Sequence, residues 1–396
     1  MAVGTKTALV GCDEVVTLVK PGRLMSIDLL RGLTIGFMIL VNNNGSREAY
    51  AQLQHSVWNG FTATDLVFPT FLFLVGVSTV FSTASRLARG DSKQSLFLHT
   101  LRRAVILFLL GLLVNSFPHF HWHTLRFYGV LPRTAICYFI VATLYLISPK
   151  WRNMAMLTVA LLVGYWALMR FVPVPGFGVP GRDVPLLDPD RNLVAWLDRN
   201  IFAASHLYER TRDPEGLLST LPALATTLIG LLTGIWLRTQ RALMEKVRGI
   251  AIAGASCVVL GLLWNFSFPI NKKLWTSSFV LFAVGWSLLL LALSIWMFDG
   301  RTEGETKAVK LSRWFTPLLV FGTNAITAYV FSELLAGGIG SILVRPGLNL
   351  QRWLANGILS VVPYPAFASL LYSLGFVAVC WLPAYWLYRR RIFIKV

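Results

Sequence analysis

A histidine and a carboxylate stand ten residues apart in HSVWNGFTATDLVFPTFLFLVG, the segment 55–76. Histidine moves protons near neutral pH, and a neighbouring carboxylate fixes which ring nitrogen carries the proton. His55 comes just before a long apolar run, and Asp65 lies about one helical turn inside that run. The two residues are therefore a candidate acid–base centre. The alternative is that His55, beside Trp58, occupies an ordinary interfacial position.

A second set of polar residues lies in the apolar run that begins at Asp28. Arg31 follows three residues later, close enough for an ion pair on a helix. Asn42 lies eleven residues beyond Arg31, which returns it to the same helix face about 16 Å further along. One helix face would thus connect a charged pair to an amide. The alternative is that the pair only staples one helix end and that Asn42 only terminates the other.

Two more ionisable residues, Arg133 and Glu333, interrupt apolar runs. An ionisable group inside a bilayer costs at least about 2.5 kcal/mol, so each marks either a functional position or a paired structural one. The alternating histidines of PHFHWH at 118–123 have aromatic neighbours and no nearby carboxylate, which favours an interfacial loop. The scattered cysteines, Cys12, Cys137, Cys257 and Cys380, indicate neither a disulfide framework nor a zinc site. We predict no metal site.

The composition identifies the elements that must position these residues. Of the 396 residues, 55% are hydrophobic and 14% are charged, against about 45–50% and 25% in soluble domains. The mean hydropathy is +0.62. These values exclude a soluble enzyme and a disordered protein. We predict an all-α fold, a polytopic helical bundle in a membrane.

A helix needs about 20 mostly apolar residues to cross a bilayer. Ten stretches meet this need: 28–44, 62–83, 100–116, 128–147, 152–171, 217–237, 249–267, 275–298, 315–334 and 366–388. The segment 335–364 is apolar but broken by glycines and prolines, so we expect re-entrant or interfacial helices there. Residues 28–388 would form one transmembrane domain between an N-terminal segment, 1–27, and a basic tail, 389–396.

Charge distribution predicts the orientation. The net charge is +18, and the side that holds the termini carries about twice as many Lys and Arg residues as the opposite loops. By the positive-inside rule both termini are cytoplasmic, and the charge requires no nucleic-acid partner. The 45-residue stretch 172–216 is then extracytoplasmic, and a loop of this length is predicted to cap a site. We predict no removable signal peptide in residues 1–27.

Six sequence blocks, in order, are distributed over most of the chain: RLMSIDLLRGLTIGFMILVNN (23–43), HSVWNGFTATDLVFPTFLFLVG (55–76), GVLPRTAICYF (129–139), DPEGLLSTLPAL (213–224), NKKLWTSSFVL (271–281) and FGTNAITAYVFSELL (321–335). Together they resemble the bacterial branch of the heparan-α-glucosaminide N-acetyltransferase family. The resemblance implies that acetyl-CoA from the cytosol acetylates an amino sugar on the far side of the membrane.

The resemblance also implies roles for individual residues. His55 matches the catalytic histidine and Asn42 its neighbouring asparagine. His55 would act as general base on the acceptor nitrogen or as a nucleophile, and Asn42 would donate a hydrogen bond to the thioester oxygen. The expected substrate-binding or acyl-CoA-binding residues are Asp28, Arg31, Asp65, Arg133, Asp213, Glu215, Asn271, Lys272, Trp275 and Asn324.

Other hypotheses about the function stay open at this point. The acceptor could be a hydroxyl of a cell-envelope polysaccharide, because O-acylation needs the same general base. The chain could instead transport a sugar or a lipid-linked intermediate, with its buried charges as gating pairs. It lacks the large luminal domain of the animal lysosomal enzyme, so we expect a glycan other than heparan and a bacterial inner membrane. Membrane lipid is a further expected partner, and GxxxG spacings at Gly32 and Gly230 permit a homodimer.

Overall fold

The computed structural model describes residues 7–10, 14–18, 24–46, 48–300 and 308–394. Some predictions fall outside the described residues. They concern Cys12, about half of the N-terminal segment 1–27 and the last two residues of the basic tail.

Apolar helices dominate the described chain, and nine of them are long and apolar enough to cross a membrane. They are α1 (Met25–Asn42), α2 (Val67–Leu87, extended to Ala63 by a 3-10 turn), α3 (Lys93–Ser116), α4 (Val130–Ile147), α5 (Trp151–Phe171), α7 (Thr220–Leu237), α8 (Leu243–Asn265), α9 (Ser277–Phe298) and α13 (Pro365–Arg389). The short helix α6 (Leu193–Ile201) lies within the loop 172–216. The predicted polytopic helical bundle is confirmed.

The ninth predicted span, 315–334, is broken. Helices α10 (Thr316–Thr323) and α11 (Ala325–Ser341) meet at Asn324 with a bend of 88°. The Asn324 amide donates to the carbonyl of Ile392 (3.1 Å) and accepts from the N–H of Ile394 (3.0 Å). The C-terminal segment is thus anchored at the bend, and a bent pair replaces the straight helix that apolar content alone predicted.

Short strands accompany the helices. Strands β1 (Thr7–Val10), β2 (Glu14–Leu18) and β3 (Ala308–Ser312) form an antiparallel sheet in which Glu14 pairs with Ser312. Beyond α11, β4 (Leu343–Arg345) and β5 (Leu348–Asn349) form a small hairpin that leads into α12 (Leu350–Val361). No residue of α12 is buried. A re-entrant or interfacial role for 335–364 stays a prediction.

The chain divides into two compact units. Unit 1 comprises Met1–Gln54, Arg241–Ile252 and Leu288–Val396, and unit 2 comprises His55–Gln240 and Ala253–Ser287. In unit 2, α2 packs against α7 so closely that a Cβ on Gly230 would lie 2.0 Å from the carbonyl oxygen of Phe73. In unit 1, α1 approaches α10 in the same way, with Gly32 against the carbonyl of Leu318. Glycine is therefore required at both helix crossings.

Candidate active site

In unit 2, the loop before α2 brings His55 to Asp65. The Nδ1 atom of His55 lies 2.9 Å from Oδ1 of Asp65. The Asp65 side chain is fully buried, whereas 48% of the His55 side chain is exposed. The predicted pair is thus formed, with the carboxylate on the inner side of the imidazole and the ring accessible from outside. When Nδ1 donates to Asp65, the lone pair of Nε2 is available as a base.

Backbone and side-chain donors hold Asp65 in place. Its Oδ2 atom accepts hydrogen bonds from the N–H of Ser56, the N–H of Thr62 and the hydroxyl of Thr62, each at 3.1 Å. Thr62 and Asp65 form a capping box at the 3-10 turn that begins α2. The loop from His55 to Thr62 therefore closes around one carboxylate. This fixes the acceptor that orients the imidazole.

Lys272 joins the pair from the NKKLW loop. Its Nζ lies 2.9 Å from Nδ1 of His55 and 3.4 Å from Oδ1 of Asp65. Asn271, also predicted as a site residue, stabilises this loop: its side chain donates to Oδ1 of Asn59 (3.1 Å) and accepts from the N–H of Leu274 (2.9 Å). The sequence resemblance identified Lys272 but gave no indication that it contacts the histidine.

Trp275 closes the same loop in an unusual backbone conformation. Its φ is +52°, a left-handed value that costs a non-glycine residue about 1–3 kcal/mol. The side chain is buried, with Nε1 donating to Oγ1 of Thr226 (3.2 Å) and the ring packed edge-on against Phe68. Packing from α2 and α7 thus maintains the strained turn that carries Lys272.

The acidic residues of DPEG bind an arginine that the sequence analysis did not select. Arg126 donates through Nε and Nη2 to both oxygens of Asp213, at 2.7 and 2.6 Å, and also through Nη2 to Glu215. Its guanidinium lies over the ring of Tyr208, 4.8 Å from the centroid. Two carboxylates in a largely buried loop need a neighbouring cation. The pair Asp213 and Glu215 was therefore the sequence signal that could have indicated a basic partner such as Arg126.

Asp198, on α6, is a second residue that sequence reasoning missed. Its buried carboxylate accepts the N–H groups of Asp213 (3.1 Å) and Leu217 (3.3 Å). Burial raises its pKa to about 6. The loop 172–216 thus contributes, through α6, the acceptor that holds the DPEG turn.

Arg133 is buried beside the same turn. Its Nη2 donates to the carbonyl of Gly216 (3.0 Å) and to the hydroxyl of Ser219, and its guanidinium carbon lies 5.2 Å from the Trp275 ring centroid. Its Nε and Nη1 have no hydrogen-bond partner among the described residues. Arg133 therefore links the DPEG turn to the loop that carries Lys272.

Unit 1 holds the remaining predicted residues. Asp28 and Arg31 form the predicted ion pair at 2.9 Å, and Arg31 also donates to the carbonyl of Gly322 at 3.4 Å. Nδ2 of Asn42, at the end of α1, donates to Oε1 of Glu333 at 3.2 Å. The amide of Asn42 is thus oriented by a carboxylate from α11, while Asn324 lies at the bend described above.

Within the part of the chain that the structure describes, no three His, Cys, Asp or Glu side chains cluster closely enough to hold a metal ion. In the PHFHWH loop the rings of His119 and His121 stack with centroids 5.8 Å apart.

Comparison with known proteins places this chain in a family. The family described as heparan-alpha-glucosaminide N-acetyltransferase, catalytic, matches residues 23–263. The heparan-alpha-glucosaminide N-acetyltransferases of Mus musculus and Homo sapiens are each 29% identical to the chain, in alignments that cover 79% of it. These alignments cover 54% and 53% of the two proteins, so the chain spans about half the length of the curated relatives it matches. The matched region contains the His55–Asp65 pair, the arginines and the DPEG turn, and the chain belongs to the heparan-α-glucosaminide N-acetyltransferase family.

Proposed function

We propose that this protein transfers an acetyl group from cytosolic acetyl-CoA to an amino sugar of the glucosamine type at the extracytoplasmic face of a bacterial inner membrane. The contact between His55 and Asp65 carries the proposal, because it supplies an accessible, oriented imidazole within the part of the chain that matches the catalytic family. Membership of the family supports acyl transfer as the reaction class.

His55 is the proposed catalytic base. With Nδ1 donating to Asp65, Nε2 takes a proton from the acceptor nitrogen as that nitrogen attacks the thioester carbonyl. Alternatively, Nε2 attacks the thioester first and forms an acetyl-imidazole that the amino sugar then resolves. Both routes use the same nitrogen and the same supporting carboxylate.

Asn42 is proposed to stabilise the developing charge. Glu333 accepts a hydrogen bond from Nδ2 of Asn42, and that nitrogen has a second hydrogen to donate. We propose that this second hydrogen bonds the thioester oxygen as charge builds on it. The assignment comes from the match of Asn42 to the family asparagine.

The donor is proposed to bind from the cytoplasmic side. The loops predicted to be cytoplasmic, at 84–103 and 238–248, are rich in Arg and Lys, which suit the phosphates of CoA. Asp28 and Arg31, at the predicted cytoplasmic end of α1, are candidate contacts for the acyl arm. Asp213, Glu215 and the NKKLW loop are candidate contacts for the acceptor.

A hydroxyl acceptor on a cell-envelope polysaccharide is the second candidate, because the oriented imidazole would deprotonate a hydroxyl equally well. Comparing glucosamine with N-acetylglucosamine as acceptors separates the two, since N-acetylglucosamine offers hydroxyl groups but no amine. Acetylation of glucosamine alone supports N-transfer.

The first test is release of thiol from acetyl-CoA by the purified protein in detergent, with glucosamine added or omitted. We expect glucosamine-dependent release from the natural chain and none above background from His55→Ala. His121→Ala, in the exposed PHFHWH loop, is the matched control and should match the natural chain. Full activity in His55→Ala would overturn the assignment of the base.

A further inference from the structure

Nδ1 of His55 has two polar neighbours at the same distance. Oδ1 of Asp65 and Nζ of Lys272 each lie 2.9 Å from it, and they lie 3.4 Å from each other. An imidazole nitrogen either carries one hydrogen and donates it or presents one lone pair and accepts. Nδ1 can therefore donate to Asp65 or accept from Lys272, but it cannot do both at once.

The two choices leave Nε2 in opposite states. If Nδ1 donates to Asp65, Lys272 is a neutral amine and Nε2 of the neutral ring presents a lone pair. If a Lys272 ammonium donates to Nδ1, the hydrogen of the neutral ring is on Nε2, and Nε2 is no longer a base. An ammonium facing a protonated Nδ1 would place two donors 2.9 Å apart that share one acceptor, Oδ1 of Asp65, and its positive charge would face the hydrogen of Nδ1. The contact thus couples the protonation of Lys272 to that of His55.

The surroundings of Lys272 favour loss of its proton. Only 15% of its side chain is exposed, and burial lowers its pKa, against the raising effect of the charges of Asp65 and Glu215. Lys273 adds a further lowering effect, while its own Nζ pairs with Glu209 at 2.9 Å. The residual exposure gives the lysine a route for proton exchange with solvent.

We infer that Lys272 is a positioning residue for His55 that determines which imidazole nitrogen carries the proton. The inference rests on the proposed function for its catalytic meaning. In the reaction, the acceptor nitrogen forms its bond to the acetyl carbon, and the carbon–sulfur bond breaks to release the CoA thiolate. The acceptor proton moves to Nε2, and the Nδ1 proton moves to the Lys272 amine. Once the thiolate or water has taken the proton from Nε2, Lys272 returns its proton to Nδ1, so the starting tautomer is restored and His55 never has to carry both protons.

A pair of variants tests this role through activity. Lys272→Met keeps the stem and removes the donor, so Nδ1 donates to Asp65 alone as in an ordinary His–Asp pair. Lys272→Arg keeps the positive charge, but an arginine remains protonated and always opposes a hydrogen on Nδ1. We expect Lys272→Arg to lose about 100-fold or more in turnover, the low end of the contribution of a general base, and Lys272→Met to lose about tenfold or less. Higher turnover in Lys272→Arg than in Lys272→Met would overturn the inference, because the reaction would then depend on the positive charge at position 272.

A chemical measurement tests the same role without any acetyl transfer. Diethyl pyrocarbonate acylates an unprotonated imidazole nitrogen, and mass spectrometry of peptides reports the rate at His55. We expect Lys272→Met to be labelled at least as fast as the natural chain and Lys272→Arg about tenfold more slowly, with His121 labelled equally in all three. Equal labelling of His55 in the two variants would overturn the inference. If the labelling order holds but no amino sugar is acetylated, the proposed function fails and the inference stands.

Should the arginine variant fail to fold in detergent, as judged by gel filtration, the pH dependence of labelling provides the test. The natural chain must lose its ammonium donor before Nε2 is exposed as a base, so its labelling should continue to rise at pH values where Lys272→Met has reached its plateau. Superimposed profiles for the two chains would overturn the inference.

Discussion

At the scale of single residues, the site depends on one buried carboxylate. Asp65 accepts from the Ser56 and Thr62 backbones as well as orienting His55. We expect Asp65→Asn to reduce acetyl transfer by about 100-fold or more, because an amide can donate to Nδ1 and so favours the wrong tautomer. Turnover of glucosamine measures this, with Asp183→Asn, at the exposed loop pair with Arg182, as the control. Unchanged turnover in Asp65→Asn would contradict the proposed acid–base pair.

Asn42 supplies an independent prediction at the same scale. Replacing it by Ala removes the proposed donor to the thioester oxygen, and we expect turnover to fall by about 100-fold to 1,000-fold. The KM for acetyl-CoA should change far less, because the hydrogen bond strengthens as charge develops in the transition state. A large rise in KM with normal turnover would instead make Asn42 a binding residue.

At the scale of elements, α6 and the DPEG turn are coupled through Asp198. The pKa of Asp198 is about 6 in the folded chain, against an ordinary value of 3.8. Because the pKa is higher in the folded chain, protonation of Asp198 stabilises the fold at pH values below 3.8. This stabilisation is lost as the pH rises through 6. The melting temperature of the natural chain relative to that of Asp198→Asn should therefore fall between about pH 4 and pH 7. A constant difference across this range would contradict the assignment.

The crossing of α2 and α7 gives a second prediction for elements. Gly230→Ala would place a Cβ 2.0 Å from the backbone oxygen of Phe73, and overpacking of this kind costs about 1–3 kcal/mol. Gly164→Ala, on α5, meets no atom within 4 Å and serves as the matched control. We expect a lower melting temperature in detergent for Gly230→Ala alone. Equal melting temperatures would contradict the close approach of the two helices.

The sequence predicted the elements that depend on local signals and missed those that depend on distant contacts. Apolar runs predicted the nine helices because hydrophobic length alone determines whether a helix can span. The 88° bend at Asn324 escaped prediction because it depends on contacts with Ile392 and Ile394, about 70 residues away. Arg126 and Asp198 were not predicted for the same reason. Neither lies in an apolar run, and both contact the DPEG turn only once the chain has folded.

At the scale of the whole molecule, the account requires a defined orientation in the membrane. Positive charge predicts that 172–216 is extracytoplasmic and that 238–248 is cytoplasmic. In intact cells, an impermeant thiol reagent should label Arg182→Cys, whereas Arg241→Cys should react only after permeabilisation, with the parent chain as the background control. The parent residues are 73% and 57% exposed, so both new thiols are accessible. Labelling of Arg241→Cys in intact cells, with labelling of Arg182→Cys only after permeabilisation, would contradict the proposed orientation.

The central claim is that His55 promotes transfer of an acetyl group to an amino sugar, and the covalent product tests it most directly. Purified protein would be incubated with glucosamine and acetyl-CoA labelled with carbon-13 in the acetyl group, and the sugar analysed by mass spectrometry. The account predicts labelled N-acetylglucosamine from the natural chain and none above background from His55→Ala. Labelled product in equal amounts from both chains would contradict the role of His55, and an absence of product from the natural chain would contradict glucosamine as an acceptor.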